Sequence, residues 1–256
     1  MGSQIRSSRA NEGDRGLAFV AGATGFTGRE VVRLLVERNV GTVAHVRPDS
    51  PRLEEWGDRF QKLGAAVDTT PWEEGAMTAA LSRVRPAYVF ALLGTTKARA
   101  RMAARMGKDP GAESYEAVDF GLTALLIRAA KASGRAPRFV YLSATGVEGA
   151  SRAAYYRARL RAEELLRSSG LPFTIARPSF IAGPGRDEPR PLERAGASIA
   201  DGALSALALL GARKLRDRYA SMTNTALAEA LVHLALDPGA ENRIFEPEDM
   251  RRTVSH

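Results

Sequence analysis

Hydrophobic positions along the chain alternate between short continuous runs and helical stripes. Leu17–Ala21 is an apolar run ending in glycines and reads as a buried strand. Phe26–Glu37 carries Val31, Val32, Leu34, Leu35 and Val36 on one broad face and reads as a helix. Gly41–Val46 predicts a second strand, Leu53–Lys62 a short helix and Ala65–Val67 a brief third strand. Glu73–Val84 follows as a helix, and Ala87–Leu93 as a continuous apolar strand. Gly94–Gly111 is basic, lacks a stripe and reads as a loop, whereas Glu113–Ser133 predicts one long helix. Arg138–Leu142 predicts a strand, Arg152–Ser168 a helix rich in arginine and glutamate, and Phe173–Ala176 another strand.

Strand and helix therefore alternate to about residue 176. Such alternation predicts an α/β fold, a parallel sheet with helices on both faces. Right-handed crossovers make it doubly wound, of Rossmann type. Beyond Pro178 the pattern changes to a charged loop and two helical stretches, Ala195–Gly211 and Asn224–Leu236. Residues 17–256 are expected to form a single domain, with 178–221 making much of a small C-terminal cap over the sheet's carboxyl edge. Residues 1–16 are polar and read as a flexible extension, neither a signal peptide nor a transmembrane segment.

The turn between the first strand and helix carries the first readable chemistry. It runs Gly22-Ala23-Thr24-Gly25-Phe26-Thr27-Gly28. Gly22 permits a tight turn, Gly25 a close approach of backbone to a diphosphate, and Gly28 close packing of helix on strand. The opening of the helix then offers N–H groups and a positive dipole end to phosphates. An acid at the end of the second strand would pair with the ribose of NAD. The sequence there reads His45-Val46-Arg47, and a guanidinium matches a 2′-phosphate, so NADP(H) is expected over NAD(H).

Composition narrows the remaining classes. The chain of 256 residues has no cysteine, which excludes disulfides, thiolate metal sites and cysteine nucleophiles, and fits a cytoplasmic protein. Its three histidines are far apart, so no metal site is expected. Arginine supplies 32 of the 37 basic residues behind the net charge of +8. That skew reads as a genome-wide preference for arginine, and no nucleic-acid partner is expected. No apolar stretch is long enough to span a bilayer.

The glycine turn, together with Leu93-Gly94-Thr95-Thr96-Lys97, Tyr115–Asp119 and Arg177-Pro178-Ser179, resembles the atypical short-chain dehydrogenases/reductases of the Tat-interacting-protein oxidoreductase group. The resemblance covers nearly the whole chain after residue 16. It implies NADP binding and a Ser–Tyr–Lys reductase centre acting on a carbonyl or alcohol. In such a centre the tyrosine exchanges a proton with the substrate oxygen, the serine hydrogen-bonds that oxygen, and the lysine lowers the tyrosine pKa. Carried over by position, Ser143 is the serine and Tyr155 the tyrosine. Arg159 stands where the family has lysine, and Glu163 one turn on fits the family pattern.

The same resemblance assigns cofactor contacts to Thr24, Phe26, Thr27, Asp68, Leu93, Gly94, Thr95, Tyr155, Arg159, Pro178 and Ser179. Plainer roles stand beside these. Ser143 can satisfy a strand end, Asp68 a turn, and Arg159 can pair with Glu163 at helical spacing. Asp119 can hold a water or cap Arg128 or another neighbour. The leading reading is an NADP(H)-dependent oxidoreductase of a small carbonyl or alcohol. A redox-silent NADP(H) sensor that contacts a partner protein is the second, because arginine is not equivalent to lysine. A nucleotide-sugar isomerase is disfavoured by the short cap. A homodimer is compatible with the helix pattern.

Overall fold

The computed structural model describes residues 16–107, 109–149, 153–179, 181–182 and 222–254. Seven strands form one parallel sheet: β1 (Leu17–Ala21), β2 (Gly41–His45), β3 (Ala66–Asp68), β4 (Tyr88–Ala91), β5 (Arg138–Leu142), β6 (Phe173–Ala176) and β9 (Arg243–Phe245). Their spatial order is β3-β2-β1-β4-β5-β6-β9. A separate parallel pair, β7 (Ile181–Ala182) and β8 (Met222–Thr223), lies outside it. The helices are α1 (Gly28–Glu37), α2 (Leu53–Leu63), α3 (Glu74–Val84), α4 (Lys97–Arg105), α5 (Thr123–Ala132), α6 (Ala154–Ser168), α7 (Asn224–Leu236) and α8 (Pro247–Val254). This is the expected doubly wound Rossmann-like fold.

The central strands are apolar throughout because both of their faces are covered. Phe19 pairs in register with Val89, and Val89 with Phe139, under α3, α5 and α6. The neighbours Val20, Phe90 and Val140 point the other way, into a second core that includes Val32 and Leu35 of α1 and Leu231 of α7. The chain winds outward from β1 in one direction and from β4 in the other. Their carboxyl ends therefore part to leave a crevice, the place where ligands bind in sheets of this kind.

Two close backbone approaches fix the opening of this crevice. Gly22 has φ +82°, and a Cβ on it would sit 2.5 Å from the Leu92 carbonyl oxygen. A Cβ on Gly28 would sit 2.1 Å from the Gly22 carbonyl oxygen. Both glycines are thus demanded by the chain's own packing, β1 turn against β4 end and α1 against β1.

Beyond the unexpected β7–β8 pair and α8, three stretches differ from the sequence expectation. Gly94–Gly111 is not a loop throughout. Thr96 caps α4 by accepting from the Arg99 N–H at 3.2 Å, and a 3₁₀ turn follows at Pro110–Glu113. The helix escapes detection because it lies on the surface, with Met102 and Met106 exposed. Glu113–Ser133 is not one α-helix. Ser114 starts a new segment by accepting from the Ala117 N–H, Tyr115–Leu122 is π-wound, and regular α5 begins only at Thr123. The third is β9, a three-residue strand paired with β6 that is too short to show a period. The expected extension at residues 1–15, the helix at 195–211 and most of the cap at 178–221 lie outside the described residues.

Gly28→Ala is expected to cost about 3 kcal/mol, since its Cβ meets backbone that has nowhere to move. Gly57→Ala in α2, where an added Cβ meets nothing within 4 Å, is expected to stabilise by about 0.5–1 kcal/mol. Urea unfolding of the two variants checks both signs.

Candidate functional site

A cavity of about 330 Å³ opens at the crevice. Gly22, Thr24, Gly25, Phe26 and Thr27 form one wall. His45 and Arg47 after β2, with Trp72, form another, and Leu92–Thr96 after β4 a third. Glu113, Val118, Leu122, Leu142, Arg159, Arg99 and Ile181 complete it.

Gly25 differs from the other two turn glycines. Its N–H closes the turn onto the Gly22 carbonyl at 2.9 Å, and a Cβ there would meet nothing nearer than that oxygen at 3.1 Å. Gly25 lines the cavity and Gly28 does not. A side chain at Gly25 would be crowded by that oxygen on the wall of the cavity. The bare turn backed by the first N–H groups of α1 fits a diphosphate.

At the end of β2, His45 Nε2 lies 2.8 Å from the Thr70 carbonyl oxygen and its ring meets Trp72 edge-on at 4.9 Å. Burial lowers its pKa, outweighing the Thr70 carbonyl and Asp68. Arg47 faces Glu113 at 3.5 Å and Asp49 at 3.6 Å. Asp68 is not in the cavity wall. Its carboxylate accepts from the Thr70 N–H and hydroxyl, each at 3.0 Å, and so closes the turn after β3.

The floor of the cavity is built on Arg159. The guanidinium is buried and donates to the carbonyls of Leu142 and Leu93, the latter at 2.9 Å. It pairs with Asp119 Oδ1 at 2.7 Å, while Asp119 Oδ2 accepts from the Thr95 N–H at 3.0 Å. One cation thus ties together the ends of β4 and β5 and the π-wound segment. A Cβ on Gly94 would lie 2.8 Å from Arg159 Nη2, so the glycine makes room for it. Burial pulls the Arg159 pKa down, but Tyr155, Tyr141 and Asp119 outweigh it and the group is held charged. For Asp119, burial pushes the carboxyl up, opposed by Arg159 and the Thr95 N–H.

The expected triad is only partly assembled. The Ser143 hydroxyl donates to Glu163 Oε1. Glu163 in turn pairs with Arg177 at 2.6 Å, and Arg177 reaches Glu246 at 3.1 Å and Glu148 at 2.8 Å. Tyr155 is half-buried, edge-on to Tyr115 at 5.4 Å and Tyr156 at 5.2 Å, with the Arg159 guanidinium 5.3 Å from its ring centroid. Arg159 and Leu142 line the cavity; Ser143, Tyr155, Pro178 and Ser179 do not. Pro178 instead accepts from the Thr145 N–H at 3.0 Å. Arg159 pairs with Asp119 and not with Glu163, and Arg128 takes Glu74 at 2.7 Å on the surface. Glu113, Trp72, Thr96, Val118 and Leu122 were not singled out in the sequence. Thr96 and Val118 lie inside stretches that carry the resemblance without being picked out of them, and Glu113, Trp72 and Leu122 stand outside any motif.

A family model described as NAD(P)H-binding matches residues 22–206. The chain belongs to this NAD(P)H-binding family. It is 31% identical over 181 residues to the mitochondrial protein fmp52 of Aspergillus fumigatus, covering 68% of this chain and 70% of that one. It is 29% identical over 181 residues to the mitochondrial protein fmp52-1 of Aspergillus terreus, covering 70% and 72%. Among solved structures, the UDP-Glc/GlcNAc 4-epimerase of Campylobacter jejuni superposes with a TM-score of 0.62 at 14% identity, covering 92% of this chain and 82% of that one. Leucoanthocyanidin reductase of Vitis vinifera, in complex with NADPH, superposes with a TM-score of 0.59 at 18% identity, covering 90% and 67%. The fold is therefore that of the NAD-dependent epimerases and reductases. The expectation of a cytoplasmic protein is corrected by the relatives, which are all named as mitochondrial. Among the described residues no helix is long and apolar enough to cross a membrane, and no cluster of three acidic or histidine side chains could hold a metal ion.

Asp119→Ala leaves the Arg159 charge buried without its anion and is expected to cost about 3–5 kcal/mol. Arg128→Ala, which removes an exposed pair, is expected to change stability by less than about 0.5 kcal/mol. Denaturant titration of the two variants separates these outcomes.

Proposed function

We propose that this chain is an NADP(H)-dependent oxidoreductase acting on a small carbonyl or alcohol. The observation that carries the reading is the position of Arg47. It lines the same cavity as the phosphate turn, at the end of β2, where the cofactor's 2′-phosphate would lie. The cofactor, when bound, supplies or takes the hydride. The chain would hold the diphosphate on Gly22–Thr27 and the opening turn of α1 and flank the ribose with Leu93, Gly94 and Thr95, while Pro178 and Ser179, outside the cavity wall, would lie behind the nicotinamide end.

Tyr155 is the proton donor to the substrate oxygen in this reading. Arg159 is a positioning residue. Its charge is matched by Asp119 and its N–H groups hold two strand ends, so it fixes the site floor and the ring of Tyr155. Ser143 reaches the substrate oxygen only by leaving Glu163. These commitments also support the second reading, an NADP(H)-binding protein without turnover.

Arg47→Ala is expected to weaken NADPH binding about tenfold, the loss of one charge-assisted contact, with NADH changed less than twofold. Calorimetric titration measures both, and equal losses would remove the preference for NADP(H). Tyr155→Phe is expected to lower turnover of an aldehyde, ketone or quinone at least about 100-fold, with NADPH affinity unchanged. Turnover that survives the change refutes the proton-donor role. Absence of turnover in the unmodified protein across a broad carbonyl panel, with NADPH bound, selects the second reading.

A further inference from the structure

The segment from 97 to 113 leaves the end of β4, passes through α4 and returns to the cavity at Glu113. The Glu113 carboxylate is held there at two points. Oε2 accepts from Thr95 Oγ1 at 3.2 Å, and Oε1 lies 3.5 Å from Arg47 Nη1. The glutamate side chain retains only 20% of its exposure, whereas Arg47 retains 43%. Glu113 therefore bridges the ends of β4 and β2 across the wall of the proposed cofactor site. The other anion near Arg47, Asp49, is 69% exposed and lies on Arg47's own loop.

We infer that Glu113 is an internal competitor of the cofactor's 2′-phosphate and so sets how strongly the site prefers NADP(H) over NAD(H). The inference rests on Arg47 as the 2′-phosphate's partner. A separation of 3.5 Å is longer than the 2.7–2.9 Å of a strong charge-assisted bond. A pair this open to water is weak, so a phosphate can take the guanidinium from it. The carboxylate stays tethered by Thr95 and remains beside the incoming phosphate as a like charge. NAD(H), which carries a hydroxyl at that position, leaves the Arg47–Glu113 pair in place. The acid that tempers NADP(H) binding thus comes from the segment after α4, not from the end of β2.

The test is calorimetric titration of the full chain with NADPH, NADH, 2′,5′-ADP and 5′-ADP. Glu113→Gln is expected to tighten NADPH and 2′,5′-ADP about five- to tenfold and to move NADH and 5′-ADP less than twofold. In the Arg47→Ala background the same substitution is expected to gain less than twofold. Glu113→Asp, which keeps the charge but withdraws it by one methylene, is expected to move NADPH in the same direction as glutamine. A melting temperature unchanged in both variants shows that the fold is intact. An unchanged or weakened NADPH affinity in Glu113→Gln overturns the inference. So does a selective loss of NADH, which would make the carboxylate a ribose acceptor, and so does a gain undiminished without Arg47. If Arg47→Ala weakens NADPH and NADH alike, the NADP(H) reading itself has failed. If that variant is selective and Glu113→Gln is silent, only the role of Glu113 falls.

Discussion

A guanidinium taken out of water needs an anion and acceptors for its N–H groups, and the contacts that Nη1 and Nη2 of Arg159 make organise the site, while its Nε is left buried without a partner. Asp119 supplies the anion, and the ends of β4 and β5 supply the carbonyls. Asp119 itself lies in the π-wound segment before α5. A Cβ on Gly94 would crowd the guanidinium, with Nη2 at 2.8 Å, so a side chain there would shift Arg159. Each of these features looks local in isolation. Together they meet at one buried cation, which also lines the cavity and lies 5.3 Å from the ring centroid of Tyr155.

The glycine turn separates packing from binding in a way the motif alone does not. Gly22 and Gly28 answer to backbone oxygens of Leu92 and of Gly22 itself, contacts made whether or not a ligand is present. Gly25 is the least crowded of the three, with only the Gly22 carbonyl oxygen at 3.1 Å from an added Cβ, and it lines the cavity. A motif of this kind is therefore partly a statement about how a helix packs on its strand, and Gly28 serves that packing alone, while Gly22 and Gly25 also line the cavity.

Much of the fold was legible because its signal is periodic. Six of the seven sheet strands and α1, α2, α3 and α7 follow from apolar runs and stripes, and the parallel topology follows from their alternation. The helix α6 was also expected, whereas most of what escaped has little periodic signal or, like α8, is only two turns long. β9 is three residues long, and α4 has no buried stripe because it packs lightly on the surface. The π-wound segment has a helix-like composition and differs only in which carbonyl each N–H meets. The site divides in the same way. The turn and Arg47 were readable because they sit at fixed places relative to strand ends. The partners of Ser143, Arg159 and Asp119 were not, because pairing between residues 20 to 40 positions apart is decided by packing. Arg159 illustrates the difference: helical spacing offered Glu163, but Glu163 faces Arg177, and the arginine turns inward to Asp119.

The replacement of lysine by arginine at position 159 has a physical consequence beyond size. An ammonium on a flexible stem can leave a strand carbonyl and follow a ribose or a tyrosine hydroxyl. A planar fork that already holds two carbonyls and a carboxylate cannot follow without exposing all three. The neighbouring network is equally committed, with Ser143 on Glu163 and Glu163 on Arg177. Positive charge near the reacting end is thereby converted from a mobile participant into fixed scaffolding. In the proposed reaction, proton transfer would draw on Tyr155 as the scaffold presents it, and the reach of that ring toward a bound substrate would limit the chemistry.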